Sequence, residues 1–285
     1  MSSTSNDSLF CREQVARSNR LSLLAQVFAA AERREALVAL YALFSVIEQV
    51  CSGSKEEDVA IKRLAWWRDE LNNSLNAQGV HPLGKELIRT GAASRISMKH
   101  IDQLLLSAQA RLESPVIGDT AALKQLCLET GWPLVELEWA LCGRDSNQPG
   151  LEGLAVRAGL AQLIRESAGE NAHQMWWIPM NLLARHGLAR NRLDEPSLDE
   201  AATALSRELL SMEGCDDRQA EPRCDDISTG EADLRHFFVL DALYARKFRK
   251  LEKATPLNLR EGLLKVGPAD VFAAWRAART VNRLR

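Results

Sequence analysis

Residues 34–48 read REALVALYALFSVIE, and this stretch decides the fold class. Its apolar residues recur at intervals of three and four, the period of an amphipathic α-helix. Glu48 continues that spacing, so a carboxylate is expected on the same face of the helix. The residues that share this face are Leu37, Leu40, Tyr41, Phe44, Ile47 and Glu48. The apolar run itself, residues 36–47, is too short to cross a bilayer.

The same helical period recurs along most of the chain. Helices are predicted over residues 21–28, 55–75, 101–112, 121–141, 151–170, 198–210, 232–251 and 268–284, and another begins at His81-Pro82-Leu83. Pro82 suits the first turn of a helix, whereas Gly131 and Pro133 are expected to kink the helix that contains them. Because no run of alternating β-branched residues predicts a strand, the chain is predicted to be all-α.

Composition excludes several classes of function. The charges nearly balance, with a net charge of -2, so the chain lacks the basic footprint of a nucleic-acid-binding protein. The polar N-terminus does not have the basic-then-apolar plan of a signal peptide, and no transmembrane segment is predicted. The six cysteines form no CxxC pair, which fits a reducing compartment. We expect a cytoplasmic protein, with a peripheral contact at a membrane surface as the second interpretation.

A polar segment at about residues 213–231 interrupts the helical pattern. It carries Cys215-Asp216-Asp217 and Cys224-Asp225-Asp226 around Pro222. The doubled acids are typical of a metal motif, but the segment has no apolar period, so a mobile, solvated loop is the favoured interpretation and a Cys/Asp metal site the other. Helices flank the loop on both sides, and residues 1–285 are therefore predicted to form one domain.

Four motifs occur in the order and spacing of a known family. The run from Arg34 to Glu48 resembles the start of the first metal motif of squalene and phytoene synthases, and the Trp-Trp-Arg-Asp-Glu-Leu run at 66–71 resembles a W-W-R-x-E-L motif. The Arg-Glu-Ser-Ala-Gly-Glu run at 165–170 stands where the family has R-D-x-x-E-D, and Pro179 follows at the family's distance. The resemblance covers residues 20 to 188.

This resemblance implies an isoprenoid (terpenoid) synthase-type helical bundle around a central cavity. It also implies Mg²⁺ held by carboxylates on two facing helices, with prenyl diphosphates as substrates, because phosphate oxygens complete the octahedral shell of the metal. The metal ligands carried over are Glu48, Glu166 and Glu170. The substrate-binding residues carried over are Tyr41 and Arg165.

The sequence also departs from the family at both halves of the implied site. Gln49, Ser52 and Gly169 replace acids, while Ser45 and Met175 stand where the family has arginines. A lost charge at such a site typically costs roughly three decades in rate. The chain most resembles a divergent branch that includes the mitochondrial complex I assembly factors and their bacterial relatives.

Two hypotheses of different class follow. The first is a non-catalytic protein that needs no cofactor and binds an isoprenoid or another lipid, or assists assembly of a protein partner. The second is an active, divergent Mg²⁺-dependent prenyl diphosphate transferase in which glutamates substitute for aspartates. A structural alternative exists for Arg165, Glu166 and Glu170, which also fit a solvated stripe of charges.

Other chemically suggestive residues favour structural roles. One tryptophan of each adjacent pair is expected in the core, and the other is expected to face a cavity or a partner; the pairs are Trp66–Trp67 and Trp176–Trp177. The histidines lack partners at ligand spacing and are predicted to be structural or on the surface; these are His100, His173, His186 and His236. A basic stripe ends the chain, and it either complements a helix dipole or contacts an acidic partner or membrane; it comprises Arg276, Arg279, Arg283 and Arg285.

Overall fold

A computed structural model describes residues 6–53, 56–113, 116–144, 151–167, 175–212 and 234–283. Every regular element in these residues is helical, which confirms the predicted fold class. The α-helices are α1 (Asn6–Ser18), α2 (Arg20–Gln26), α3 (Arg34–Gly53), α4 (Glu57–Leu75), α5 (Pro82–Arg89), α6 (Met98–Leu112), α7 (Thr120–Leu141), α8 (Glu152–Glu166), α9 (Met180–Arg185), α10 (Asp199–Leu210), α11 (Arg235–Leu251), α12 (Leu259–Leu264) and α13 (Pro268–Arg283).

Helix α3 lies at the centre of the bundle. Residues 36–48 are all buried, so α3 is enclosed all round and not on one face only, as its amphipathic pattern had suggested. It packs against α1, α5, α6 and α8. By length and composition the span Ala31–Ser52 would also suit a membrane, but most of it is buried inside the bundle, as expected of a core helix.

Helices α7 and α8 form the closest pair in the bundle. A Cβ added at Gly131 would lie 1.9 Å from the carbonyl oxygen of Ala155, and one added at Gly159 would lie 1.9 Å from that of Cys127. The two glycines therefore let the backbones touch. Pro133 lies inside α7, which continues to Leu141.

The remaining helices pack on two sides of α3, α7 and α8. On one side α4 packs against α6, and α6 packs against α7. On the other side α11 contacts α2, α8 and α13. Helix α5 begins as predicted at Pro82, where the His81 Nδ1 accepts the backbone N–H of Leu83 at 3.1 Å and so caps the helix.

Candidate functional site

The first predicted metal ligand, Glu48, is buried on α3 and paired with an arginine. Its side chain is 7% exposed, and so is that of Arg165, which projects from α8. Arg165 Nε donates to Glu48 Oε1 at 3.0 Å, and Nη2 donates to the same oxygen. The structure therefore brings two of the predicted site residues together, in a salt bridge between two helices.

The second predicted ligand, Glu166, is held in the same way by a residue that the sequence did not single out. Arg111 of α6 donates from Nε to Glu166 Oε2 and from Nη2 to Oε1, both at 3.0 Å. Gln162, one turn earlier on α8, donates to Oε1 at 3.1 Å. Glu166 is thus neither a solvated surface charge nor a free carboxylate.

The two ion pairs form one cluster with balanced charge. Burial raises the pKa of Glu48, the charge of Arg165 opposes that rise, and repulsion from Glu166 adds to it. Burial works against the charge on Arg111, but Glu166 outweighs it, so the pKa of Arg111 is raised. Two carboxylates therefore face two guanidiniums that stay protonated at any ordinary pH.

Mg²⁺ does not fit the described part of this cluster. A divalent cation needs an excess of anionic oxygen, and here each carboxylate already has a bidentate guanidinium. No group of three or more His, Cys, Asp or Glu side chains able to hold a metal occurs among the described residues. The third predicted ligand, Glu170, lies outside those residues, as do Gly169, His173, the loop at 213–231 and the side chain of Arg283.

Two tyrosines border the cluster from α3 and α11. Tyr244 accepts a hydrogen bond from Arg165 Nη1 at 3.1 Å and another from Asn19 Nδ2 at 2.9 Å, so α11 and the N-cap of α2 join the network. Tyr41 is equally buried, and burial together with the nearby charge of Glu138 holds its pKa well above the usual range. No direct hydrogen bond satisfies the Tyr41 hydroxyl among the described residues. Its predicted role in substrate binding stays a prediction.

Three positions of α3 at which the sequence departs from the family's motifs form hydrogen bonds with nearby residues. Ser45 donates to the carbonyl oxygen of Tyr41 at 2.8 Å and lies against the hydroxyl of Ser18. Ser52 donates to the carbonyl oxygen of Glu48 at 2.9 Å, and Gln49 donates to the side chain of Gln14 at 2.6 Å. Ser45 and Gln49 therefore join α1 to α3, Ser52 bonds within α3, and none of the three supplies a charge to the site.

The Trp-Trp-Arg-Asp-Glu-Leu motif at 66–71 serves packing. Glu70 Oε1 accepts the backbone N–H groups of Val80 and His81 at 2.9 and 2.8 Å, which fixes the turn before α5. Trp67 is buried and its neighbour Trp66 is 49% exposed, as the helical geometry predicted. In the second pair Trp177 is buried and donates to Ser167 Oγ at 2.8 Å.

The histidines that the structure describes are structural, as predicted. His236 of α11 is buried and pairs through Nε2 with Glu138 Oε2 at 2.5 Å. His186 contacts Glu208 at 3.0 Å. Each has one acidic partner, which fits an interhelical tie and not a metal centre.

A cationic cleft lies between the N-terminal helices and α12. Its volume is about 330 Å³, and its charged lining residues are Arg17, Arg20, Arg260, Glu261 and Lys265. Lys265 pairs with Glu261 at 2.6 Å. Arg260 Nε donates to the carbonyl oxygen of Arg165 at 2.8 Å, so the cleft adjoins the C-terminal end of α8. Within the described residues Arg20 and Arg260 have no carboxylate partner, and an anion is the ligand this cleft would take.

Sequence periodicity held a signal for Arg111. Ile101, Leu104 and Ala108 are spaced by three and four residues on the buried face of α6, and Arg111 is the next position in that series. An arginine at such a position is not expected from periodicity, because buried arginines are rare unless paired. Nothing local to Tyr244 indicated that it would meet Arg165 and Asn19, since these contacts join residues 79 and 225 positions apart.

The all-helical bundle brings Glu48 of α3 and Glu166 of α8 to one interior cluster. The family model described as squalene/phytoene synthase matches residues 15–269. The chain belongs to the squalene/phytoene synthase family.

Two solved structures resemble the chain over nearly its whole length. A dehydrosqualene synthase, solved in complex with a ligand, matches with a TM-score of 0.64 and 12% identity, covering 97% of this chain and 95% of the other. Squalene synthase HpnC from Alicyclobacillus acidocaldarius matches with a TM-score of 0.46 and 15% identity, over 97% and 93%. No curated protein matches the sequence significantly. At these identities the likeness concerns the fold alone.

Proposed function

We propose that this chain is a non-catalytic member of the squalene/phytoene synthase family that acts as a binding or assembly protein. One observation carries the proposal: the carboxylates of Glu48 and Glu166 are neutralised by Arg165 and Arg111. A Mg²⁺ ion at this site would have to displace two buried guanidiniums, each of which would then lose its counterion. That cost is several kcal/mol per unpaired buried charge.

The residues around the cluster support the same proposal. Ionisation of an allylic diphosphate needs cations and metal where the leaving group develops its charge. Ser45 is bonded to the backbone of its own helix and to Ser18, so this position supplies no charge. What the chain retains is a helical bundle of the family's type, which suits an isoprenoid, another lipid or a protein partner.

The test is release of diphosphate by the purified protein incubated with farnesyl or geranylgeranyl diphosphate and Mg²⁺. We expect release at the background rate for the wild type. Glu166→Gln serves as the matched variant, because it removes one carboxylate charge and keeps the side chain's size. Release well above background in the wild type, lost in Glu166→Gln, would contradict the proposal.

The cationic cleft favours a second candidate function, that of an active divergent Mg²⁺-dependent prenyl diphosphate transferase. Arg20 and Arg260 present positive charge next to the end of α8, where an anion could bind. The two candidates differ in how diphosphate depends on metal. A transferase needs Mg²⁺ and diphosphate together, whereas a binding protein takes the anion without metal.

Melting temperatures measured with Mg²⁺ alone, inorganic diphosphate alone, and both together separate the candidates, since only a ligand that binds the folded state raises stability. Arg20→Gln tests the cleft, and Arg12→Gln, an exposed arginine outside its lining, is the matched control. A shift that requires both components and disappears in Arg20→Gln favours the transferase. A shift with diphosphate alone favours the binding protein.

A further inference from the structure

Helix α13 exposes a group of apolar side chains on one face. Val271, Phe272 and Trp275 are 51, 61 and 45% exposed, and the rings of Phe272 and Trp275 lie 5.8 Å apart. At 100° per residue, these positions fall within about a third of the helix circumference. A contiguous patch that contains two aromatic rings is unusual on a protein surface without a binding partner.

The charges on this side of α13 are positive. Arg279 lies over the ring of Trp275, with its guanidinium carbon 4.3 Å from the ring centre, and Arg276 is exposed beside it. The one acid of the helix, Asp270, is buried on the opposite side. It pairs there with Arg246 at 2.7 Å and with Lys247 at 3.0 Å. The face therefore combines apolar side chains and cations, with no carboxylate from its own helix.

The other side of α13 fixes the helix to the bundle. Ala274 and Ala278 are buried, and α13 packs mainly against α11. The aromatic side chains thus project from a helix that is held by its small residues. The exposed face therefore lies away from α11, as the apolar face of an amphipathic helix does when it meets a membrane interface.

We propose that this α13 face, formed by Val271, Phe272, Trp275, Arg276 and Arg279, binds the headgroup region of an anionic lipid bilayer. Tryptophan and phenylalanine rings are favoured at the boundary between headgroups and acyl chains. Arginines beside them are attracted to anionic headgroups. The attraction to anionic headgroups comes from the arginines of this face and not from the net charge of the chain, which is -2. The proposal does not depend on whether the protein is catalytic.

A second copy of the chain is the competing occupant. A surface groove of about 620 Å³ between α6 and α7 has an apolar floor that includes Leu106 and Trp132, and Glu129 and Glu136 stand along it. Its charge is complementary to that of the α13 face. Docking there would join different surfaces of two copies, and such head-to-tail contacts produce rings or open filaments. Measurement of the oligomeric state distinguishes this arrangement from membrane binding.

The test is flotation of the full chain with vesicles of phosphatidylcholine alone and with vesicles of equimolar phosphatidylcholine and phosphatidylglycerol. We expect the wild type to float with the anionic vesicles and to remain in solution with the neutral ones. Trp275→Ala and, separately, Phe272→Ser should each weaken binding about tenfold. Trp66→Ala is the matched control, because Trp66 is 49% exposed on α4 and should leave binding unchanged. Arg276→Gln should weaken binding most at low ionic strength.

Circular dichroism and melting curves show whether each variant is folded, and the substituted side chains are exposed, so folding should be retained. Absence of binding to anionic vesicles overturns the proposal, as does binding that is equal in wild type, Trp275→Ala and Phe272→Ser. Light scattering measures whether the chain associates with itself in solution. Self-association that is lost in both Trp275→Ala and Glu136→Arg would assign the α13 face to contacts between copies and also overturn it.

Discussion

Arg111 and Arg165 each present two guanidinium nitrogens to one carboxylate, and this changes how the predicted ligands are understood. The sequence placed Glu48 and Arg165 correctly on interior faces of two helices. It could not show that the arginine would bind the glutamate, because that contact depends on how α3 and α8 pack. Arg111 lies on the periodic face of α6, but no pattern along the sequence pairs it with Glu166.

The Glu48–Arg165 pair should be strongly coupled. Arg165→Met leaves a carboxylate buried without a counterion, and we expect it to lower the free energy of unfolding by about 3–5 kcal/mol. The double variant Glu48→Gln with Arg165→Met should be considerably more stable than the sum of the single losses implies. Urea unfolding of the four proteins measures the coupling. Additive losses would contradict the ion pair.

His81 should give the protein a pH-dependent stability. Burial lowers the pKa of His81 from 6.5, and its Nδ1 must be unprotonated to accept the Leu83 N–H. A lowered pKa means that this contribution is complete above pH 6.5 and is lost as the pH falls below that value.

His81→Asn keeps a capping side chain but does not titrate in this range. We therefore expect the wild type to lose stability relative to His81→Asn as the pH falls from 7 to 5. Melting temperatures of the two proteins, measured side by side at each pH, test this. A difference that does not vary with pH would exclude His81 as the source.

At the scale of elements, the predicted helices are confirmed wherever the periodic pattern was long, with one correction. The helix predicted to run to residue 170 ends at Glu166, because Ser167 takes an extended conformation. The missed helices show what periodicity cannot resolve. Helices α9 and α12 have six residues each, less than two turns, and α1 buries only the small side chains of Ser8, Cys11 and Val15. Short or weakly apolar helices are stabilised by tertiary packing, which a local pattern does not record.

The contact between α7 and α8 should be intolerant of any side chain at its glycines. Gly159→Ala would force a Cβ into the backbone of Cys127, and we expect a loss of about 1–3 kcal/mol or more as the helices separate. Gly118→Ala is the control, because a Cβ there meets nothing within 4 Å. Chemical denaturation of both variants measures the difference. Equal stabilities would contradict the close approach.

At the scale of the whole molecule, the family resemblance predicted the bundle, whereas the helical periodicity predicted only the all-α class. The single domain over residues 1–285 stays a prediction. The helices on both sides of the polar segment at 213–231 contribute to one hydrophobic cluster, from Cys11 to Ala278. We therefore expect one cooperative unfolding transition, at the same midpoint by far-ultraviolet circular dichroism and by tryptophan fluorescence. Separate midpoints would indicate two units.

Metal should contribute little to the stability of this molecule. Because Glu48 and Glu166 have protein counterions, we expect addition of Mg²⁺ or of a chelator to leave the melting temperature unchanged. Calorimetric scans of the same preparation with each addition measure this. A rise with Mg²⁺ alone would show that acids outside the described residues hold a metal.

The four-membered cluster of Glu48, Arg165, Glu166 and Arg111 also constrains how the chain can change. An aspartate introduced at Ser52, one turn after Glu48 on α3, would bring a further negative charge near a cluster whose charges already balance, and each guanidinium there already has a carboxylate partner. Loss of Arg111 alone would leave the Glu166 carboxylate without its counterion. Under the proposed function, a magnesium site here would therefore need several substitutions together, each unfavourable by itself, so the arginine pairing would resist stepwise change toward metal binding.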